Sequence, residues 1–292
     1  MIYELYGFDH GSCNTAEFLV FNGSESRATR PFRLYVWIAR SKDRTVVIDP
    51  GAPDPEVFNR MTYDYCPGGW VQTPEQTTPA ILERAGIRPE DVSDVILTHL
   101  HYDHSANAAM FPNARIVVSQ TSVLARIPRD MTWRQAVEMM DTFECPGVRE
   151  CCPANFGRYL RALRGEEAGP LVSGCGCRIN CRLFLEHVKD AFPSRIHFST
   201  NEEEVVPGIR VFRVGGHSPC SQAVVIRTAK GKAMLCGDTI YLYENLEKGI
   251  PVGHSVVPES LEAMRRAREE ADIILPGHDP KVLEEHPDGR IA

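Results

Sequence analysis

The chain has 292 residues, which is enough for one large domain or two small ones with a sizeable hydrophobic core. Hydrophobic residues make up 43% of the chain and charged residues 24%, as is ordinary for a soluble globular protein. The formal net charge is −7, which argues against a broad nucleic-acid-binding surface because such a surface needs clustered lysine and arginine. We therefore expect no nucleic-acid partner.

The first residues, Met1 to Leu5, predict a strand and not a targeting segment, since they lack a basic start and a small-residue cleavage site. No apolar run approaches the length of a membrane span. We therefore expect a cytoplasmic protein with no membrane anchor. Its ten cysteines are more typical of thiols or metal ligands than of a disulfide framework.

Apolar runs and turn residues predict that strands and helices alternate along the chain. Strands at about 35–39 and 45–49 flank the polar turn Ser41–Arg44 and indicate a hairpin. Thr78-Pro79 opens a helix that Gly86 is placed to end. Two blocks of strands with helices between and outside them favour two packed sheets covered by helices. The remaining predicted elements are strands at 94–97 and 115–118, mostly strands from 194 to 238, and an amphipathic helix at 258–270.

The segment from about 120 to 195 differs from its surroundings because it is helical in pattern and rich in cysteine. Trp133, Ala136, Val137 and Met140 share one helical face, which favours packing on the core. The alternative is a lid that contributes Trp133 or Met139 to an apolar pocket. The spacing of the cysteines leaves free or redox-active thiols and a structural metal open, and they are Cys145, Cys151, Cys152, Cys175, Cys177 and Cys181.

Four potential metal ligands lie within six residues directly after the apolar strand at 94–97. They form a His-x-His-x-Asp-His pattern at His99, His101, Asp103 and His104. One metal cannot easily take all four ligands from so tight a turn, whereas two adjacent metals can share them. The pattern therefore predicts a two-metal site.

Three later strands have ends that resemble one another, because in each a glycine is followed directly by a possible metal ligand. The pairs are Gly216-His217, Gly237-Asp238 and Gly277-His278. Glycine at such a turn lets the backbone approach a crowded centre. The repetition indicates that the strand ends converge on a single site.

This order of motifs resembles the metallo-β-lactamase superfamily of metal-dependent hydrolases. The resemblance runs from about Leu34 to Asp279 and includes the early element Val46–Gly51. It implies an α/β fold, an αββα four-layer sandwich of two mixed β-sheets covered by helices, formed by a single domain at 1–292 with the segment 120–195 as an insertion. Carried over residue by residue, the resemblance gives the first metal His99, His101 and His217, the second Asp103, His104 and His278, and a bridging Asp238. Asp49 would brace the ligand loops.

The expected cofactors are two divalent metal ions. Three imidazoles suit zinc, while the second site, richer in carboxylates, would also accept Mn, Fe or Co. A water shared by the two ions would lose a proton near neutral pH, and the bridging hydroxide would attack an ester carbonyl. Asp103 is expected to orient the hydroxide and then to protonate the leaving oxygen.

Finer features resemble the N-acyl-homoserine lactonase branch of the superfamily. These are the segment Glu204–Ile209, the segment Gly216–Pro219 and Gln222. Tyr241, three residues after Asp238, matches a tyrosine that donates a hydrogen bond to the substrate carbonyl in that branch. The alternatives are that Tyr243 serves equally well or that Tyr241 is an ordinary interfacial aromatic. Ser105–Asn107 and Cys220-Ser221 differ from the branch and would alter the substrate.

The favoured function is hydrolysis of a lactone or similar cyclic ester, with a small-molecule ester or lactone as the partner. The alternatives are a thioester hydrolase of glyoxalase II type, a mononuclear iron dioxygenase on the same fold, and a binding protein that has lost activity. The resemblance also implies a homodimer. His10 and His254 lie outside the motifs and are interpreted as core or surface histidines, although His254 could reach the pocket mouth.

Overall fold

The computed structural model describes residues 1–62, 65–142 and 176–292. Cys145, Cys151, Cys152 and Cys175 of the cysteine-rich segment lie outside these residues. Within them Cys181 is buried.

Among the described residues, the first sheet has six strands in sequence order. β1 and β2 are antiparallel, as are β2 and β3, whereas the last four strands run parallel, so the sheet is mixed. The turn Ser41–Arg44 connects β2 and β3, which confirms the predicted hairpin. The strands are β1 (Glu4–Ala16), β2 (Thr29–Arg40), β3 (Thr45–Ile48), β4 (Asp94–Ile96), β5 (Arg115–Ser119) and β6 (Ile196–Ser199).

The second sheet has five strands in the order β11-β10-β9-β8-β7. Its neighbours are antiparallel except for β10 and β11, which are parallel, so this sheet is also mixed. The strands are β7 (Glu202–Val206), β8 (Ile209–Arg213), β9 (Gln222–Thr228), β10 (Gly231–Leu235) and β11 (Ile273–Leu275).

The α-helices of the described residues lie between and after these strands. α3 confirms the helix predicted to open at Thr78-Pro79, and α8 confirms the amphipathic helix predicted at 258–270. None of the described helices is both long enough and apolar enough to cross a membrane. They are α1 (Glu17–Val20), α2 (Pro55–Thr62), α3 (Thr78–Arg84), α4 (Tyr102–Ser105), α5 (Trp133–Thr142), α6 (Gly176–His187), α7 (Tyr243–Lys248), α8 (Val257–Glu270) and α9 (Lys281–Glu285).

The layers follow from the alternation of side chains along the strands. On β3, Val46 and Ile48 pack between the two sheets, whereas Val47 points to the other face, where α3, α5 and α6 cover the first sheet. Phe212 of β8 packs beneath α8 on the outer face of the second sheet. Two mixed sheets with helices outside both of them confirm the αββα sandwich.

The first helix of the segment 120–195 packs on the core. Ala136 and Met140 of α5 are completely buried in the cluster under the first sheet, and Val137 and Met139 pack against it. The indole Nε1 of Trp133 donates a hydrogen bond to the Leu185 carbonyl of α6 at 2.5 Å. This face of α5 therefore contributes to the core, as its spacing predicted, and Trp133 and Met139 contact the core rather than a lid surface.

Candidate metal centre

The loop after β4 is held by Asp49, which follows β3. Both carboxylate oxygens of Asp49 accept hydrogen bonds from Thr98, one from the backbone N–H at 2.8 Å and one from the hydroxyl at 2.7 Å. Its Oδ2 atom also lies 2.9 Å from Nδ1 of His104. Asp49 is buried and has a φ of 49°, a conformation that is uncommon outside glycine. Asp49 therefore braces the loop, as the resemblance implied.

The later ligands come from turns at the ends of β8, β10 and β11. Gly215 and Gly216 precede His217 with φ values of 60° and 72°, and Gly237 precedes Asp238 with a φ of 51°. A Cβ atom at Gly237 would lie 2.7 Å from the Thr98 hydroxyl, so only glycine fits there without displacement. The turn after β10 therefore lies directly against the Thr98 side chain, which brings Asp238 close to the loop after β4.

The seven candidate ligands form two adjacent groups. Within each group, one ligand atom from every residue lies within 4.8 Å of the others. The first group contains the three histidines that the resemblance gave to the first metal together with Asp238, and the second contains the three residues that it gave to the second metal. The groups are His99, His101, His217 and Asp238, and then Asp103, His104 and His278.

The Asp238 carboxylate faces both groups at once. Its Oδ1 atom lies 3.0 Å from Nε2 of His104 and 2.9 Å from Nε2 of His278. Its Oδ2 atom lies 3.5 Å from Nε2 of His99 and 3.3 Å from Nε2 of His217. Asp238 is 5% exposed, so its carboxylate is shielded from bulk solvent.

The donor set fits divalent metal ions. The Nε2 atoms of His99 and His104 are buried and make no hydrogen bond of acceptable geometry within the described part of the chain, although the Asp238 carboxylate lies nearby. Such orphaned nitrogens are costly in a folded protein unless something else, such as a metal, uses their lone pairs. The other ring nitrogen of His104, Nδ1, contacts the Asp49 carboxylate. In a third candidate ligand, His278, Nδ1 donates a hydrogen bond to the Arg33 carbonyl at 2.8 Å. Partners of this kind set the tautomer of a metal-binding imidazole.

The pKa shifts of the candidate histidines divide into two kinds. Burial acts to lower the pKa of His104 and His278, but the neighbouring carboxylates, Asp238 first, raise the pKa of both rings. Burial, together with the neighbouring His99 and His217 rings, lowers the pKa of His101 well below the usual histidine value. Burial also lowers the pKa of His217, to about 3. The His101 and His217 rings are therefore neutral near pH 7, as metal ligands must be. Burial acts to raise the pKa of Asp238, but the surrounding histidines, His104 first, hold it well below the ordinary carboxyl value.

Tyr241 lies beside the first group. Its hydroxyl is 3.3 Å from Nδ1 of His217, and its ring packs on Phe32 with ring centroids 5.1 Å apart. Tyr243 is directed elsewhere, because its hydroxyl donates to the Ile274 carbonyl at 2.9 Å. Of the two tyrosines weighed from the sequence, Tyr241 is thus the one at the site.

Several predicted or overlooked residues take structural positions. Cys220, one of the residues that differ from the lactonase branch, is buried in the core cluster under the first sheet. His254 is exposed and packs edge-on against Phe18. His10 is completely buried, and its Nε2 atom accepts a hydrogen bond from the Ala52 N–H at 3.1 Å, close to the Asp49 turn. Sequence reasoning missed this role because a lone histidine in a strand carries no signal for a partner 42 residues away.

Comparison with known proteins gives a family for this architecture. The metallo-beta-lactamase superfamily matches residues 29–278. An N-acyl homoserine lactonase from Bacillus thuringiensis is 24% identical over 295 residues, covering 94% of this chain and 93% of that protein. One from Bacillus cereus is 23% identical over 255 residues, covering 84% of this chain and 81% of that protein.

Solved structures share the fold. An N-acyl homoserine lactone hydrolase with the product N-hexanoyl-L-homoserine bound at its catalytic metal center has a TM-score of 0.67 at 21% identity, covering 98% of this chain and 97% of that chain. AidC, a dizinc quorum-quenching lactonase, has a TM-score of 0.60 at 13% identity, covering 94% of this chain and 87% of that chain. Since the family match spans most of the sequence, the chain belongs to the metallo-beta-lactamase superfamily and is a metal-dependent hydrolase with N-acyl homoserine lactonases among its relatives.

Proposed function

We propose that this hydrolase opens a lactone or a similar cyclic ester and uses two divalent metal ions to do so. The observation that carries the proposal is that the two oxygens of the Asp238 carboxylate face different ligand groups. Oδ1 lies toward His104 and His278, and Oδ2 lies toward His99 and His217. A carboxylate between two ligand groups is suited to bridge two ions. A single ion held by the first group would use Oδ2 and leave Oδ1, which faces His104 and His278, without a metal.

The ligands in each group determine which metal ion that group suits. His99, His101 and His217 would hold the first ion, and three imidazoles with one carboxylate oxygen suit zinc. Asp103, His104 and His278 would hold the second, which is the more tolerant position and also suits Mn, Fe or Co. When bound, a pair of such ions acidifies a water molecule and polarises an ester carbonyl. Hydrolysis adds that water across the acyl–oxygen bond and yields a hydroxy acid.

Asp103 is the proposed proton carrier. It belongs to the second group, and one of its carboxylate oxygens lies 3.4 Å from Nε2 of His104. Burial acts to raise the pKa of Asp103, but the His104 ring beside it lowers that pKa below the ordinary carboxyl value. An ionised carboxylate can take the proton of the attacking water and return it to the leaving oxygen of the opened ring.

Tyr241 is the proposed donor to the substrate carbonyl. If Nε2 of His217 faces a metal, its proton resides on Nδ1, which then donates to the Tyr241 oxygen 3.3 Å away. This arrangement leaves the phenolic hydrogen free to stabilise negative charge on the carbonyl oxygen. Burial, followed by the nearby Asp238 carboxylate, raises the pKa of Tyr241 well above the usual tyrosine value, so the phenol keeps its proton.

The surroundings of Tyr241 favour a substrate with an apolar part. Tyr241 belongs to a buried apolar cluster that includes Phe32, Leu34, Tyr102 and Leu183. Phe32 also stacks on the His278 ring, with centroids 4.9 Å apart and planes inclined by 9°. The relatives named as N-acyl homoserine lactonases support a lactone as the substrate.

The test compares substrates on the purified, metal-loaded protein. We expect turnover of lactones, varied in ring size and side chain, to exceed turnover of glutathione thioesters. Turnover of thioesters alone would replace the proposal with a glyoxalase II type of activity. One iron per chain and no ester hydrolysis would point to a dioxygenase, and tight ligand binding without turnover would point to a binding protein.

A further inference from the structure

The loop that carries His217 is held against helix α8 by a single carboxylate. Glu259, in the first turn of α8, accepts a hydrogen bond from the Gly216 backbone N–H through Oε2 at 2.8 Å. Its Oε1 atom accepts a hydrogen bond from the Arg213 guanidinium at 2.7 Å. Arg213 is the last residue of β8, so Glu259 ties the strand, the turn and the helix together.

The turn itself leaves little freedom for this contact to shift. Gly215 and Gly216 both have positive φ values, and a Cβ atom at Gly215 would lie 2.2 Å from Oε2 of Glu259. The carbonyl of Gly216 accepts a further hydrogen bond from the Val256 N–H at 2.9 Å. Both polar backbone groups of Gly216 are therefore bound to the start of α8, immediately before the candidate ligand.

The charge of Glu259 suits this task. Burial acts to raise its pKa, but the hydrogen bonds from Gly216 and Arg213 prevail and lower it below the usual glutamate value. The side chains of Glu259 and Arg213 are 32% and 30% exposed, so the pair is only partly screened by water. A carboxylate that accepts two charge-assisted hydrogen bonds is fixed in position, and it fixes the backbone to which it is bound.

We propose that Glu259 is a positioning residue for metal binding, acting on His217 through the Gly216 backbone. The far end of His217 must satisfy two contacts at once, with Nε2 3.3 Å from Asp238 and Nδ1 3.3 Å from the Tyr241 hydroxyl. A small rotation of the turn would break both contacts. The inference rests on the proposed metal site, and it predicts that Glu259 affects the His99, His101 and His217 group and leaves the second group unchanged.

The experiment measures zinc affinity by chelator competition on full-length protein, and it determines the affinity of each of the two zinc ions separately. Glu259→Gln keeps the shape of the side chain but cannot accept from both donors. We expect this variant to bind one of the two zinc ions about tenfold to a hundredfold more weakly, which is the range found when such supporting partners are removed. The matched control is Glu262→Gln, one turn further along α8, where the partner is the exposed Arg265. The control should leave the affinities of both zinc ions unchanged.

A second comparison identifies the zinc ion that is bound more weakly. In a His217→Ala background the remaining zinc belongs to the other group, so adding Glu259→Gln should have no further effect on its affinity. If Glu259→Gln does not fold, Arg213→Met removes the other partner of the carboxylate and should weaken binding of the same zinc ion. Unchanged affinities in a folded Glu259→Gln protein would overturn the inference, as would equally weakened binding of both zinc ions.

These results separate the inference from the proposed function. Wild-type protein that binds zinc but hydrolyses no ester contradicts the function alone, because the effect of Glu259 is read from zinc affinity. Wild-type protein that binds two zinc ions and hydrolyses a lactone, with Glu259→Gln indistinguishable from it, contradicts the inference alone. Wild-type protein that binds no zinc contradicts both.

Discussion

Oδ2 of Asp49 lies 2.9 Å from Nδ1 of His104, on the opposite side of the ring from the nitrogen that faces Asp238. A carboxylate in this position fixes the tautomer and the ring orientation of a metal-binding histidine. Asp49→Asn should therefore weaken zinc binding by about tenfold to a hundredfold. Chelator competition measures this, and unchanged affinity would show that His104 needs no such support.

Asp103→Asn tests the proposed proton carrier. The amide cannot accept a proton and binds a divalent ion poorly, so we expect hydrolysis to fall by several orders of magnitude. The metal-free protein should still fold, because the amide has nearly the same shape as the carboxylate, but losing the charge beside His104 should lower its stability. Near-normal kcat/KM on the best lactone would rule out this role for Asp103.

Tyr241→Phe removes the proposed donor and retains the ring. The expected loss in kcat is about tenfold to a thousandfold, the scale of a missing oxyanion donor. Tyr243→Phe is the matched control, since its hydroxyl binds the Ile274 carbonyl away from the ligand groups. Equal rates for Tyr241→Phe and wild type would remove the hydroxyl from the mechanism.

His10 predicts a pH dependence of stability. Burial lowers its pKa in the folded protein from 6.5 to about 4, so below pH 6.5 the unfolded chain binds a proton that the folded chain does not. Its contribution is therefore complete above pH 6.5 and is lost as the pH falls toward 4. Between pH 7 and pH 5 the loss is on the order of 2 kcal/mol. Urea unfolding of metal-free protein at both pH values measures it.

The control for His10 is the glutamine variant. In His10→Gln this contribution to the pH dependence should disappear, while the contributions of the other histidines remain and cancel in the comparison. The same difference between pH 7 and pH 5 in variant and wild type would contradict the assignment.

The fold and the identity of the candidate ligands could be predicted from the sequence because their signals are local. A glycine after an apolar strand and a ligand directly after the glycine are both visible within five residues, and Asp49 follows its strand in the same way. Periodicity likewise predicted that one face of α5 packs on the core. The family and its αββα sandwich were inferred correctly on this basis.

The supporting contacts could not be predicted, because they depend on the packing of distant segments. Glu259 reaches Gly216 across 43 residues, and nothing near either residue marks the pair. The choice between Tyr241 and Tyr243 depends on how the chain turns after Asp238. The single-domain organisation with an insertion at 120–195 stays a prediction, since residues 143–175 lie outside the described part of the chain.

The central claim is that one carboxylate, Asp238, joins two metal ions in a centre that opens cyclic esters. The most direct measurement titrates metal-free protein with zinc while following lactone hydrolysis. The account predicts that activity rises to its maximum at two ions per chain, and that Asp238→Asn binds fewer ions and loses most of the activity. Full activity at one ion per chain, or an active Asp238→Asn protein with one ion, would contradict it.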